Sequence, residues 1–333
     1  MRVLFFGDGV WATKTLERLL SEAVDIPAIV IRQSPTDPVL IDLAEDRGIP
    51  VLKPSDVNDP DFFKKVKSLA PDLNLSVSYD QIIRCPLIES TPMGFINIHA
   101  GGLPFYRGRN VVNWAIINNE KEIGITAHFI DDGIDTGDII LQKKIMVDWI
   151  DDYGTVLAKI ISEIPEIVLE AIKLAADPSF TPSQQKQIRG TYFGKRGPGD
   201  EWLDWNETSL NIYNKIRAIT RPGPGAMTLL KGEADPVIIW KARYEKDWPV
   251  YRATCGQVVG RDDKGIYVKT GDSTILIQEL QLKGGKPEKP ICPIGTRFGL
   301  NLLEENLLLK QEIKRLLTFM ESNEHSYHTQ AGY

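Results

Sequence analysis

In FINIHA, residues 95–100, an Asn and a His stand two positions apart at the end of an apolar run. Side chains alternate faces along a strand, so Asn97 and His99 share one face while Ile96 and Ile98 turn into packing. Imidazole exchanges a proton near neutral pH, and a carboxamide donates to a developing oxyanion without adding charge. A histidine alone would read as a hydrogen-bonded structural side chain. About thirty residues later, GITAHFIDDGIDTGDII carries Asp131, Asp132, Asp135 and Asp138 in a loop punctuated by glycine. Taken alone this is a solvated turn; it lacks the glutamate and the length of a calcium loop. Beside Asn97 and His99, one of its carboxylates could orient the imidazole or accept a proton through water. Asn, His and Asp without Ser or Cys make a general acid/base and oxyanion site, not a covalent one.

These side chains need a scaffold that ends strands at one place. RVLFFGDG reads as a buried strand ending in a tight turn, and VWATKTLERLLSEA as an amphipathic helix. IPAIVIRQ, IPVLKP, DLNLSVSYDQII, MGFINIHAG and GITAHFID follow as strands, with helices at DPVLIDLAEDRG, DPDFFKKVKSLAP and VVNWAIINNE between them. Strands alternating with helices predict an α/β domain, a Rossmann-like and mostly parallel sheet covered on both faces. The ends of such strands are where open sheets place ligands. A long helix from Asp152 to Ala176 closes this unit. The texture then changes to Pro, Gly and Gln, and short strands such as PVIIWKARY and STILIQELQL predict a smaller β-barrel. The expected boundaries are a catalytic domain over 1–190, a linker over 191–205 and a β-rich domain over 206–300. A helix over 301–322 and a polar tail over 323–333 complete the chain. The helix has apolar residues at three-four spacing, suited to packing on its own chain or to a homodimer interface.

Composition narrows the classes. The net charge of −6 disfavours a general nucleic-acid binder. Residues 206–300 carry 15 Lys/Arg against 10 Asp/Glu, a balance of +5, so that part alone could touch phosphates. Apolar runs are too short to cross a bilayer and the N-terminus has no signal-peptide core, so a cytoplasmic location is expected. Cys85, Cys255 and Cys292 are scattered and odd in number, and His325 and His328 lie in the polar tail; no metal site is expected. GDGVWA, with Gly7, Gly9 and Ala12, fits a dinucleotide-binding pattern. Val10 and Trp11 put bulk where a cofactor needs room, however, and the next strand ends in Arg32–Gln33 instead of an acidic residue. The stretch reads as a tight β–α turn.

INIHAGGLPFYRGRN followed by GITAHFIDDGIDTGDIIL resembles the formyltransferases that use N10-formyltetrahydrofolate. The resemblance covers about residues 1–190 and implies a catalytic triad of Asn97, His99 and Asp135. It further implies that VSYDQIIRCPLI holds the folate pterin through backbone groups at Gln81, Ile82 and Ile83, with Ile130, Asp131 and Asp132 on the other side. Asn97 and a protonated His99 would then stabilise the oxyanion, with Asp135 holding the proton state of His99 and helping to take the amine proton. GTYFGKRGPGDEWLDWNETSLNIYNKIRAITRPGPGA is similar to UDP-aminoarabinose formyltransferases and to methionyl-tRNA formyltransferases, whose C-terminal barrels resemble an oligonucleotide-binding fold. The implied acceptor is thus a nucleotide-linked amino sugar of polysaccharide biosynthesis or the amine of charged initiator tRNA. Two features favour the sugar. Residues 32–48 are short and hold two basic against four acidic residues, where tRNA binding would need clustered cations. The R-G-R-N tail, Arg107 to Asn110, looks more like the sugar enzymes. Arg109, Asn110, Lys195 and Arg196 are the expected acceptor-binding residues. A hydrolase of formyltetrahydrofolate would keep the same triad with water as acceptor, and a non-catalytic folate- or tRNA-binding module is a further alternative.

Overall fold

The computed structural model describes residues 1–34, 36–186, 188–189, 192–231, 235–299, 306–307 and 309–320. The chain begins with β1 (Val3–Gly7), α1 (Gly9–Ser21), β2 (Ile29–Val30), α2 (Pro38–Asp46), β3 (Val51–Leu52), α3 (Pro60–Leu69) and β4 (Leu73–Val77). It continues through β5 (Phe95–His99), β6 (Arg107–Gly108), α4 (Val111–Ile117), β7 (Glu122–Phe129), β8 (Ile139–Met146), α5 (Tyr153–Ala176) and β9 (Tyr192–Phe193). The helices start where the sequence supplies caps. Asp37 and Asp59 each accept from backbone N–H groups of the first turn and precede a proline, and Asp152 forms a reciprocal box with Thr155 at the head of α5.

Seven strands form one sheet in the order β3-β2-β1-β4-β5-β7-β8. The first five are parallel, as the β–α alternation predicts; β7 runs antiparallel to β5, and β8 antiparallel to β7. That reversal sets Asn97 opposite His128 and His99 opposite Thr126. The central strands are buried, and Phe6 meets Phe95 at 4.8 Å and Tyr79 at 5.7 Å in a cluster with Leu4, Val30, Val66 and Leu87. Ala12, Leu16 and Leu19 of α1 and Val156, Ile160, Ile164 and Val168 of α5 are buried, so each helix covers the apolar sheet with one stripe.

The GDGVWA turn is a packing device. A Cβ on Gly7 would meet the Val77 carbonyl at 2.5 Å and the Ala12 Cβ at 2.8 Å, so the glycine lets the helix close onto the sheet. The buried Asp8 carboxylate sits at the N-terminus of α1 and accepts from Gly9 N and Asp37 N. An anion already holds the place a pyrophosphate would take.

The remaining elements are α6 (Ser209–Ile219), β10 (Ala226–Leu229), β11 (Pro236–Arg243), β12 (Val258–Asp262), β13 (Gly265–Lys269) and β14 (Thr274–Gln281). The last five strands form an antiparallel sheet in the order β10-β11-β14-β13-β12. Residues 295–299 pair with 256–258 on one side and with 229–231 on the other, which joins the two edges into a barrel. The compact units are Met1–Glu201 with Asn214–Pro224, and Trp202–Tyr213 with Gly225–Tyr333. The C-terminal half of α6 therefore belongs with the first unit, where Asn113 donates to Ala218 O at 2.6 Å and Arg217 to Asp151 O at 3.0 Å. The sequence reading had given all of α6 to the barrel domain. In the expected helix over 301–322, residues 306–307 and 309–320 are helical, while 301–305, 308, 321 and 322 and the tail over 323–333 lie outside the described residues. No helix among the described residues is long and apolar enough to cross a membrane.

Candidate active site

Asn97 and His99 leave β5 on the same face, and both open onto a cavity of about 720 Å³ in the first unit. The loop between β7 and β8 returns Asp135 to them. His99 Nδ1 lies 3.6 Å from Asp135 Oδ2, and His128 Nε2 lies 3.6 Å from Asp135 Oδ1. His99 Nε2 meets the Tyr106 carbonyl at 2.5 Å. A carbonyl only accepts, so Nε2 carries hydrogen and Nδ1 is the nitrogen turned to the carboxylate. In the same way His128 Nδ1 donates to Phe129 O at 2.7 Å, and its Nε2 lies 3.2 Å from Asn97 Nδ2. The Asn97 carboxamide is thereby oriented with a second N–H to spare.

Burial pushes the His99 imidazole below its ordinary value, against the pull of Asp135 and the Tyr106 carbonyl. Burial would by itself raise the Asp135 carboxyl. The imidazole of His99, the side chain of His128 and the Gly108 N–H outweigh it and hold the acid at about 2. Near neutral pH the site therefore combines an ionised carboxylate with an imidazole able to take a proton.

Asp135 is held in the left-handed region, at φ 54°, a costly conformation for a side chain with a Cβ. Its carbonyl accepts from Arg107 Nε at 3.1 Å and from Gln185 Nε2 at 3.0 Å, and its Oδ2 accepts from Gly108 N at 2.8 Å. Gln185 Nε2 also donates to Gly137 O at 2.7 Å, and Gln185 Oε1 accepts from Arg107 Nη2 at 2.7 Å. The Arg107 side chain is fully buried behind the loop, with its guanidinium 5.5 Å from the Tyr192 ring centre. Gly108, at φ 99°, lets this strand end pass β9; a Cβ there would meet Phe193 O at 2.2 Å.

Of the other expected site residues, Gln81, Ile82, Ile83, Ile130, Asp131, Arg109, Asn110 and Lys195 line the cavity. The N–H groups of Gln81, Ile82 and Ile83 make no hydrogen bond among the described residues, so this apolar edge keeps donors available to a heterocycle. Asp131 is spent on its own loop, accepting from Gly133 N at 3.0 Å and from Thr136 Oγ1 at 2.5 Å. Two of the expected residues are placed elsewhere. Asp132 is exposed and does not line the cavity. Arg196 does not line it either: its guanidinium pairs with Glu201 at 3.0 Å and is nearly buried, so its charge is already compensated.

The sequence reading passed over His128, Gln185 and Tyr106 and treated Arg107 as part of an acceptor motif. A polar residue on the buried face of ITAHFI was the one available signal for His128. Nothing in the neighbourhood of Gln185 marks it, because its partners lie about fifty residues away in sequence. Among the described residues no group of three His, Cys, Asp or Glu side chains is placed to hold a metal ion.

Comparison with known proteins places this geometry. The formyl transferase family matches residues 1–172, and its C-terminal domain family matches residues 196–290. The chain belongs to the formyl transferase family. It is an enzyme, with a mostly parallel α/β domain followed by a C-terminal domain built on an antiparallel sheet. The chain is 30% identical over 298 residues to the methionyl-tRNA formyltransferase of Ruminiclostridium cellulolyticum, covering 87% of this chain and 94% of that one. Among solved structures, its fold is similar to that of WlaRD, a sugar 3N-formyltransferase seen with dTDP and 5-N-formyl-THF. The TM-score is 0.63 at 22% identity, over 84% of this chain and 97% of that one. An N-formyltransferase from Helicobacter canadensis, in complex with folinic acid and dTDP-3-aminofucose, also gives 0.63, at 20% identity over 83% of this chain and 98% of that one.

Proposed function

We propose that this enzyme transfers the formyl group of N10-formyltetrahydrofolate to the amine of a nucleotide-linked amino sugar. The observation that carries the reading is the meeting of Asn97, His99 and Asp135 at one cavity. The donor reading is supported by the family and by the N–H groups of Gln81, Ile82 and Ile83 at the cavity edge, which have no partner among the described residues. The pterin would lie between that edge and Ile130.

The spare N–H of Asn97 donates to the oxygen of the formyl carbon as the amine attacks it. The orientation of His99 revises the role read from sequence. With Nε2 bound to the Tyr106 carbonyl and burial disfavouring the cation, His99 starts neutral and its Nδ1 receives the amine proton. The Asp135 carboxylate then faces the imidazolium so formed. As the bond from the formyl carbon to N10 breaks, that proton passes to N10, leaving the formamide and tetrahydrofolate. No covalent enzyme intermediate is involved.

Three features support a sugar acceptor. Two fold neighbours were solved with dTDP or a dTDP-sugar, which agrees with a cavity rimmed by Arg109, Asn110 and Lys195. Residues 32–48 include the nine-residue α2 and hold more acidic than basic side chains. No cluster of cations for a phosphate backbone stands there. A second reading rests on the sequence relatives, several of which are methionyl-tRNA formyltransferases at 30–33% identity. The deciding experiment supplies N10-formyltetrahydrofolate with a panel of amino-sugar nucleotides and, separately, charged initiator tRNA, and follows tetrahydrofolate release and acceptor mass. Formylation of a sugar nucleotide is expected. Formylation of the tRNA alone would replace this reading with the second one, and folate turnover without any acceptor would indicate the hydrolase.

A further inference from the structure

A neutral His99 ring carries one hydrogen, and two acceptors compete for it. The Asp135 carboxylate stands 3.6 Å from Nδ1, and the Tyr106 carbonyl stands 2.5 Å from Nε2. At equal distance an ionised carboxylate is the stronger acceptor, so the carbonyl keeps the hydrogen by being closer. The choice decides reactivity, because a hydrogen on Nδ1 would stop that nitrogen from receiving a proton. The titratable groups that face His99 are Asp135 and His128, whose ring centre lies 6.4 Å from that of His99.

The carbonyl is held from the far end of its own residue. The Tyr106 phenol donates to Glu120 Oε1 at 2.7 Å and accepts from Asn118 Nδ2 at 3.3 Å. Its ring stacks on Phe193, with centres 5.1 Å apart and planes within 4°, and Phe193 stacks in turn on Trp114 at 5.9 Å. Burial and the bond to Glu120 push the phenol up to about 12, so it stays a donor near neutral pH. Gly101 makes room for the contact, since a Cβ there would overlap both the Tyr106 carbonyl oxygen and His99 Nε2. The start of the loop is tied to the sheet instead, where Thr126 Oγ1 donates to Gly101 O at 2.7 Å and Gln142 Nε2 to Leu103 O at 3.0 Å. Tyr106 and Glu120 stand outside the catalytic cavity and line a second one of about 610 Å³ behind the loop. Their effect on a substrate in the catalytic cavity therefore passes through His99.

We propose that Tyr106 is a positioning residue: Glu120 and Phe193 lock its side chain, and the lock holds its carbonyl on His99 Nε2 so that Nδ1 stays open to the amine proton. The source of that proton rests on the formyl transfer proposed above. The first test needs no substrate. Long-range proton–nitrogen spectra of the full chain with isotope-labelled histidine read which ring nitrogen carries hydrogen, and the signal missing from His99→Gln identifies His99. Wild type at about pH 7 is expected to carry it on Nε2. Tyr106→Ala, which loses both the bond and the stack, is expected to move most of it to Nδ1. With the acceptor found in the panel above, kcat of that variant is expected to fall about 30-fold, in step with the Nε2–H population, and KM for both substrates to stay unchanged. Tyr106→Phe keeps the stack, loses only the bond to Glu120 and serves if the alanine protein is unstable. It is expected to show a mixture of the two forms and about fivefold lower kcat. Hydrogen on Nδ1 in wild type would overturn the proposal, as would retention on Nε2 in every folded variant or a rise in KM without loss of kcat. The spectra are taken without acceptor, so an acceptor other than a sugar nucleotide would overturn that reading and leave this one standing.

Discussion

Replacing Gln185 with Ala tests whether the loop that carries Asp135 is set from behind. Gln185 makes three hydrogen bonds, the last two of them buried: to Asp135 O at 3.0 Å, to Gly137 O at 2.7 Å and from Arg107 Nη2 at 2.7 Å. Its removal strips two carbonyls of a donor and leaves the buried Arg107 cation one acceptor poorer. Neutral bonds contribute about 1 kcal/mol each and the charged one about 1.5–3 kcal/mol, so a loss of about 3–5 kcal/mol of stability is expected. The catalytic effect is separate. Asp135 holds a left-handed conformation that costs on the order of 1–3 kcal/mol, and one of the two donors at its carbonyl would be gone. A carboxylate displaced by about 1 Å relative to His99 Nδ1 lowers kcat by roughly 10–100-fold, with KM for both substrates little changed. Urea unfolding gives the first quantity, and single-turnover formyl transfer well below the unfolding midpoint gives the second. A stable variant with kcat within a factor of two of wild type would refute the coupling from Gln185 through the loop to Asp135.

Other outcomes follow from the same geometry. Asn97→Ala removes the oxyanion donor and is expected to lower kcat by about 100–1,000-fold, read by steady-state formyl transfer. Arg109→Ala should raise KM for a nucleotide-linked acceptor by about tenfold or more, whereas Arg196→Ala, which breaks an internal pair with Glu201, should show in thermal unfolding and not in that KM. The lowered pKa of His99 means that the unfolded chain binds its proton more readily. Stability is therefore expected to be full above about pH 6.5 and to fall as pH drops below it, by at most about 1.4 kcal/mol per pH unit from this group. The depressed Asp135 contributes in the same direction at lower pH, its share being present above about pH 4 and lost as pH falls toward about 2. Urea titrations of wild type and His99→Gln at pH 7, 6 and 5 check the histidine part, and equal slopes would contradict it.

Much of the site was legible locally. A two-residue period puts Asn97 and His99 on one face whatever the sheet around them does, and the run of strands and helices places that face at a strand end. The tight turn at Gly7 was legible for the same reason, since bulk at Val10 and Trp11 argues against a cofactor. Four carboxylates in one loop were not separable, because Asp131, Asp132, Asp135 and Asp138 are chemically equivalent in a linear chain. Backbone conformation separates them: Asp131 caps its own turn, Asp132 faces water, and Asp135 is carried back toward His99. Arg107 and Arg196 show the limit from the other side. Arg107 read only as the start of an acceptor motif and Arg196 as an acceptor-binding cation, yet one is buried behind the loop that carries Asp135 and the other is matched to Glu201.

By itself the sequence determined the fold class, the Asn-x-His pair and the family to which they belong. These rest on periodicity, caps and short motifs, which are properties of neighbours along the chain. The antiparallel entry of β7 brought His128 across from Asn97, and the Arg107–Gln185 clamp set the conformation of Asp135. Both join residues roughly thirty to eighty positions apart. Hydrogen-bond geometry and burial, which assign the proton on His99 and the charge on Asp135, exist only once those distant segments are packed together, and so only the tertiary structure could decide them.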